Sequence, residues 1–232
     1  MPASTTLPEH IQSYIRRSLI DREYIVGGGA DKNDALSHVV GSTNLVKVDI
    51  IDRFNLYNSS DREVYYRGHE EEKELLEEIV RDWKSYKFNN LRLTGHSWGG
   101  QAVMNITQKL FVKGVPVKEL ITLDPVSMLP LARPQAEKWV NVYIRQSILD
   151  NTIGKLPLVN QVVSSVASLP TLLTANGRAG GYIANIGSQL GHENGAYNYE
   201  MDVSHANAGE MYKKALSLLE KAPTSPKAMG VR

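Results

Sequence analysis

The stretch Leu93-Thr94-Gly95-His96-Ser97-Trp98-Gly99-Gly100 constrains this chain more than any other. An apolar, strand-like run from Leu91 to Thr94 leads into Gly-x-Ser-x-Gly, and a helix-like run over 98–112 begins at once. Small residues are needed there because the turn is strained and the helix packs close against the strand it has just left. The reversal projects the Ser97 hydroxyl outward, near the positive end of the helix dipole. A strand feeding directly into a helix in this way predicts a βα unit of a parallel sheet, with Ser97 as a candidate nucleophile. The plainer alternative is a glycine-rich turn with an idle serine.

The rest of the chain fits such a sheet. Its 232 residues suffice for one sizeable core. Residues 8–20 read as an opening helix, with Ile11, Tyr14, Ile15 and Leu19 on one face. A strand at Tyr24-Ile25-Val26 runs into Gly27-Gly28-Gly29, and residues 43–56 read as a helix. The next strand is Val64-Tyr65-Tyr66, followed by a helix over 70–86 with Leu75, Leu76, Ile79, Val80 and Trp83 on one side. Its first turn carries Glu70, Glu71 and Glu72, where the dipole favours anions. The helix over 98–112 stops before Gly114, and Leu120–Leu123 and Val140–Ile144 read as two more strands. A last helix spans 205–220, with Met211, Ala215, Leu218 and Leu219 apolar. This alternation predicts an α/β fold, with a mostly parallel sheet of at least five strands flanked by helices.

Three parts follow: an N-terminal helical segment at 1–21, an α/β domain over 22–221, and a flexible tail at 222–232 rich in Pro, Ser and Lys. Within the domain, residues 151–196 break the βα rhythm. They join an apolar segment, Leu158 to Leu173, to a Gly-rich run from Gly177 to Gly195. A connection this long inside a domain is expected to form a cap over the nucleophile. The stripe Val162, Val163, Val166 and Leu169 reads either as a wall for an acyl chain or as an ordinary core helix.

Composition narrows the chemistry. A net charge of +1 aims no field at nucleic acid, so no nucleic-acid partner is expected. The absence of cysteine removes disulfides, thiolate catalysis and Cys-ligated metals. His38 and His69 stand alone without ligand spacing, so neither a metal nor an organic cofactor is expected. The run from Glu70 to Glu78 reads as the solvated face of a helix. No apolar run approaches the length of a bilayer span, and residues 1–10 lack the basic and apolar regions of a secretory leader. The expectation is a cytoplasmic protein, with export by a signal-independent system left open.

A nucleophilic serine needs a base, and the base needs an orienting acid. After Ser97 the chain has only His192 and His205. His205, in Asp202-Val203-Ser204-His205-Ala206, enters the last helix and is the favoured base, while His192 lies in the Gly-rich region. Asp124 ends the strand Leu120–Leu123 and precedes Pro125, at the strand edge where α/β folds bind ligands. Asp124 is favoured as the acid, with Asp150 after the next strand and Asp202 beside His205 as rivals. An oxyanion would need backbone N–H donors, for which the amide of Trp98 and the Gly28–Gly29 turn are the candidates. Asp31-Lys32-Asn33 does not continue the triple glycine into a dinucleotide fingerprint.

On Gly95-His96-Ser97-Trp98-Gly99-Gly100 and Leu123-Asp124-Pro125, the chain over about 22–220 resembles the α/β-hydrolase superfamily and its lipase and esterase branch. The resemblance implies a serine hydrolase of carboxylic esters, acting on a small-molecule or lipid ester through Ser97, Asp124 and His205. Thioesterase, amidase or acyltransferase chemistry would use the same residues, and an inactive binding protein would merely keep the fold. The Gly-rich end of the first strand, Val64-Tyr65-Tyr66 and Asp124-Pro125-Val126 are also similar to bacterial lipase-like proteins of antagonistic secretion systems. That similarity would imply phospholipid substrates and contact with a membrane surface. The chain departs from the wider family in starting with a helix rather than with two antiparallel strands.

Overall fold

Apolar runs alternating with amphipathic ones become a layered α/β structure in the computed structural model. It describes residues 19–32, 41–127, 133–145 and 188–225, together with positions 8, 11, 14, 38 and 131. The strands are β1 (Asp21–Gly27), β2 (Arg62–Gly68), β3 (Leu91–His96), β4 (Val117–Leu123), β5 (Val126–Ser127), β6 (Ala136–Ile144), β7 (Ser188–Gln189) and β8 (Tyr197–Met201). The α-helices described along their whole length are α1 (Glu72–Lys84), α2 (Trp98–Val112) and α3 (Ala208–Leu219). Six strands form one sheet in the order β2-β1-β3-β4-β6-β8, and every adjacent pair is parallel. Strands β5 and β7 form a short antiparallel ribbon beside it.

Both faces of the sheet are covered, as a parallel sheet requires. The period of two along β1 divides its side chains between two cores. Tyr24 and Val26 pack with Leu75 and Ile79 of α1 and with Val103, Ile106 and Leu110 of α2. Ile25 packs on the other face with Ile50, Ile51 and the α3 residues Met211, Tyr212 and Ala215. The buried Glu23 clamps α3 onto the sheet, accepting hydrogen bonds from Thr94 Oγ1 (2.6 Å) and from the Tyr212 hydroxyl (3.2 Å). Arg92 and Arg62 supply the compensating positive charge at 3.2 and 3.4 Å. Burial pushes the Tyr212 phenol well above its ordinary range, so it stays protonated and donates.

From β1 the sheet steps out to β2 on one side, and all later strands lie on the other. The crevice at the C-terminal ends of β1 and β3 is therefore the switch point where open α/β sheets bind ligands. The glycines after β1 and Ser97 after β3 both stand there.

Several details differ from expectation. The helix expected at 43–56 is a π-helical turn over Lys47–Asp52 followed by a 3-10 turn over Leu56–Asn58. Asn44 and Asn55 have left-handed backbone (φ 49° and 52°), which breaks a continuous α-helix at both ends. The helix expected at 70–86 opens with a 3-10 turn, His69–Glu71, in which the Glu71 carboxylate accepts the Gly68 N–H at 2.7 Å. The last helix starts at Ala208, which leaves His205 in the loop before it. A sixth parallel strand, β8, escaped the pattern because it is a sheet edge whose Tyr197-Asn198-Tyr199-Glu200 side chains stay partly or fully exposed. Most of the expected opening helix lies outside the described residues, as do 146–187, which hold Asp150 and most of the cap-like segment, and 226–232. No helix among the described residues is long and apolar enough to cross a membrane.

Helix α2 packs against β1 with no room for a side chain at Gly99. A Cβ at Gly99 would overlap the carbonyl of Val26, which is backbone and cannot swing aside. Gly99→Ala is expected to destabilise the fold by roughly 1–3 kcal/mol or more. In a thermal melt that is a loss of about 2–4 °C per kcal/mol. An unchanged melting temperature would show that helix and strand do not meet there.

Candidate active site

The turn at Ser97 has φ 56° and ψ −126°, a region that costs a side-chain-bearing residue on the order of 1–3 kcal/mol. Hydrogen bonds hold it there. The Ser97 N–H donates to the Leu123 carbonyl (3.1 Å), and the Ser97 carbonyl accepts from the N–H groups of Gly100 (2.9 Å) and Val126 (3.0 Å). Gly95 lies against the backbone of Gly99, so neither position admits a side chain. The turn from β3 into α2 leaves Ser97 6% exposed at the mouth of a cleft.

That cleft holds about 190 Å³ and has mostly apolar walls. Gly28, Gly29, Ser97 and His205 all line it. Gly28 lies on the serine itself: a Cβ there would stand 2.6 Å from Ser97 Cβ. The Gly28 carbonyl accepts from the Asp31 N–H (3.2 Å) and from His69 Nδ1–H (3.2 Å). The His69 ring also meets the Trp98 ring edge-on, with centroids 5.3 Å apart. Asp31 is buried, and its carboxylate accepts from Val46 N–H (3.2 Å) and Thr43 Oγ1 (3.3 Å). Burial pushes the Asp31 carboxyl above its usual range, against those hydrogen bonds.

Asp124 follows β4 with left-handed backbone (φ 43°), which Asp tolerates better than most residues. It is fully buried. Its Oδ2 accepts His205 Nδ1–H at 2.5 Å and the Gln189 side-chain amide at 2.7 Å, and its Oδ1 accepts the Ile144 N–H at 3.3 Å. An ionised carboxylate only accepts, so Nδ1 of His205 carries the proton and Nε2 is left basic.

The His205 loop is held from the residue before Ser97. His96 Nε2–H donates to the His205 carbonyl at 2.8 Å, and the two rings lie 4.6 Å apart. Burial, aided by the charge of a protonated His205, pushes the His96 imidazole down to about 3, so it stays neutral. A carbonyl partner settles its tautomer, with the proton on Nε2.

The expected residues thus divide. Ser97, His205, Gly28 and Gly29 come together at one cleft, and Asp124 stands behind His205. His192 lies in the turn after β7, edge-on to Tyr143, and does not line that cleft. Asp202 follows β8, and His205 Nδ1 pairs with Asp124 instead. Asp150 lies outside the described residues. Sequence reasoning missed Gln189, His96 and His69 as parts of the site. His96 could have been suspected from its place beside the serine, whereas the other two carry no local signal. No cluster of His, Asp or Glu among the described residues could hold a metal ion.

Six parallel strands in this order, with a serine turn after the third, an acid after the fourth and a histidine before the last helix, make an α/β-hydrolase fold. No family model and no curated protein matches the sequence. Among solved structures, similar chains include RedJ, at 11% identity over 95% of this chain and 94% of that one (TM-score 0.41). Another is a hyperthermophilic esterase from the archaeon Pyrobaculum calidifontis, at 9% identity over 88% and 77% (TM-score 0.41). A third is Aspergillus fumigatus lipase B, at 11% identity and TM-score 0.34, where 56% of this chain is covered but only 29% of the lipase. With overlaps this loose, the fold assignment rests on the strand order and the serine turn.

The buried neutral His96 makes a pH prediction. Unfolding returns it to water, where an ordinary imidazole takes up a proton below about 6.5. The unfolded state therefore binds more protons between about 6.5 and about 3, and stability is lost as pH falls through that window. His96→Gln is expected to flatten the loss by up to about 1.4 kcal/mol per pH unit, read from urea unfolding at several pH values. Parallel slopes for the variant and the wild type would show that His96 is not held neutral.

Proposed function

We propose that this chain is a serine hydrolase that cleaves carboxylic esters through an acyl-enzyme. The observation that carries the reading is the buried Asp124–His205 pair, whose histidine lines the same cleft as the strained Ser97. In this reading His205 Nε2 takes the proton from Ser97 Oγ as the oxygen attacks the ester carbonyl. Asp124 stays ionised and steadies the imidazolium that forms. The amide of Trp98, in the first turn of α2, and that of Gly28 or Gly29 receive the oxyanion. His205 then passes its proton to the departing alcohol, and a water molecule repeats the sequence to release the acid. The route requires no metal and no organic cofactor. The mostly apolar cleft favours an apolar acyl group on a small-molecule or lipid ester.

Hydrolysis of p-nitrophenyl esters of increasing chain length, followed by intact phospholipids, tests the reaction and its substrate, and fluorophosphonate labelling tests the nucleophile. Ser97→Ala is expected to abolish labelling and to lower the rate on the order of 10⁶-fold. His205→Ala should be about as damaging, and His192→Ala should stay near the wild-type rate. Asp124→Asn should cost about 10⁴-fold through the wrong imidazole tautomer. Ser97→Ala retaining more than about a tenth of the rate, or His192→Ala proving the lethal change, would overturn the assignment.

A further inference from the structure

Asp124 Oδ2 is shared. His205 Nδ1–H reaches it at 2.5 Å and the Gln189 side-chain amide reaches it at 2.7 Å, so a neutral donor competes with the imidazole for one oxygen. Gln189 does not arrive there by the freedom of a long side chain. Strand β7 pairs antiparallel with β5, with Gln189 opposite Val126, and the Leu190 N–H donates to the Pro125 carbonyl at 2.9 Å. Backbone bonds thus tie Gln189 and its neighbour to the two residues that directly follow Asp124. The ribbon is only two residues long in each strand and stands apart from the six-stranded sheet, so it adds nothing to the sheet's own pairing.

We propose that Gln189 is a positioning residue of this site, and that its amide, by sharing the charge of Asp124, sets how tightly the carboxylate holds a protonated His205. The proposal rests on the assignment of Asp124 and His205 as orienting acid and base. A donor on a buried carboxylate spreads its negative charge. Without it, more of that charge falls on the imidazolium, which is then stabilised and gives up its proton less readily. The base is consequently lost at higher pH, and the acid limb of the rate profile moves up. The other ionisable groups around the pair do not change in a Gln189 variant. They are His96 of β3, held neutral by burial, and Asp31, which lines the cleft from the loop after β1. At the ends of β6, β8 and α3, Arg145 pairs with Glu200 and Arg53 with Glu210, and Asp202 follows β8; none of these changes in the variant either.

Gln189→Met keeps the length and volume of the side chain and removes the donor. In kcat/KM for p-nitrophenyl butyrate against pH, its acid limb is expected to lie on the order of 0.5–1 pH unit above that of the wild type. A rate lowered equally at every pH, with the limb in place, would make Gln189 mere packing and would overturn the proposal. Gln189→Ala serves as the second variant should the Met form fail to fold, with the same expected direction. NMR titration of the His205 ring in the same variants separates this proposal from the ester-hydrolase reading, since it needs no turnover. A midpoint raised in the Gln189 variant supports the proposal even in a chain that fluorophosphonate does not label. An unmoved midpoint sinks it even if the enzyme is active.

Discussion

The backbone of Ser97 is the constraint on which the rest of the site depends. A φ of 56° with a ψ of −126° is not a conformation the chain would keep by itself. It is held by Leu123 and Val126, whose backbone groups bond the N–H and carbonyl of Ser97. Those residues bracket Asp124. The segment that restrains Ser97 is therefore the segment that carries Asp124, and the two cannot shift independently. The glycines at 95 and 99 act in the complementary way, by letting α2 come close enough for these bonds to form. A side chain at either position would lift the helix from the strand, and the serine turn would relax.

His205 arrives from a distant part of the chain and is held twice. From below, α3 is anchored by its apolar face and by Tyr212 on the buried Glu23. From the site, His96 bonds the His205 carbonyl and Asp124 bonds the ring. His96 thus holds the backbone of His205, and Asp124 sets its tautomer. Two imidazoles so close together would repel if both were charged. Complete burial of His96 removes that conflict by keeping it neutral, and its single donor is used on the carbonyl. The neutral ring thereby serves as structure.

What the sequence made legible follows from where chemistry sits in a parallel sheet. Ser97, Asp124 and His205 stand at strand ends or helix starts, and such positions carry local signals: a glycine pair, an Asp-Pro step, a polar loop before an apolar helix. The central strands were legible too, because burial on both faces leaves largely apolar runs such as Tyr24-Ile25-Val26 and Leu120–Leu123. Strand β8 was not, since an edge strand half exposed to water has no such run. The π-helical turn at Lys47–Asp52 kept the apolar spacing of a helix, and only the left-handed Asn44 and Asn55 broke it. Gln189 was beyond reach for a different reason. It meets Asp124 across 65 positions of sequence, through a two-residue ribbon too short to leave any pattern. The contact between Asp124 and His205 is of the same kind, since it joins residues 81 positions apart.

The loop after β1 shows how a side chain can organise a site without facing it. The Gly28 carbonyl accepts from Asp31 N–H and from His69, which stands at the end of β2. In a trans peptide the carbonyl and the next N–H point in opposite directions. Turning the Gly28 carbonyl toward His69 and Asp31 therefore sends the Gly29 N–H away from both. The orientation costs little because Gly28 has no Cβ to press on Ser97, and because the Asp31 carboxylate fixes the other end of the loop on Val46 and Thr43. A histidine that reads as isolated in the sequence, and that holds no metal spacing, becomes a fixed point for the peptide lying across the serine. The site is thus assembled in pairs of opposed anchors: Leu123 and Val126 on Ser97, His96 and Asp124 on His205, His69 and Asp31 on Gly28. Each pair restrains a group that a single bond would leave free to turn.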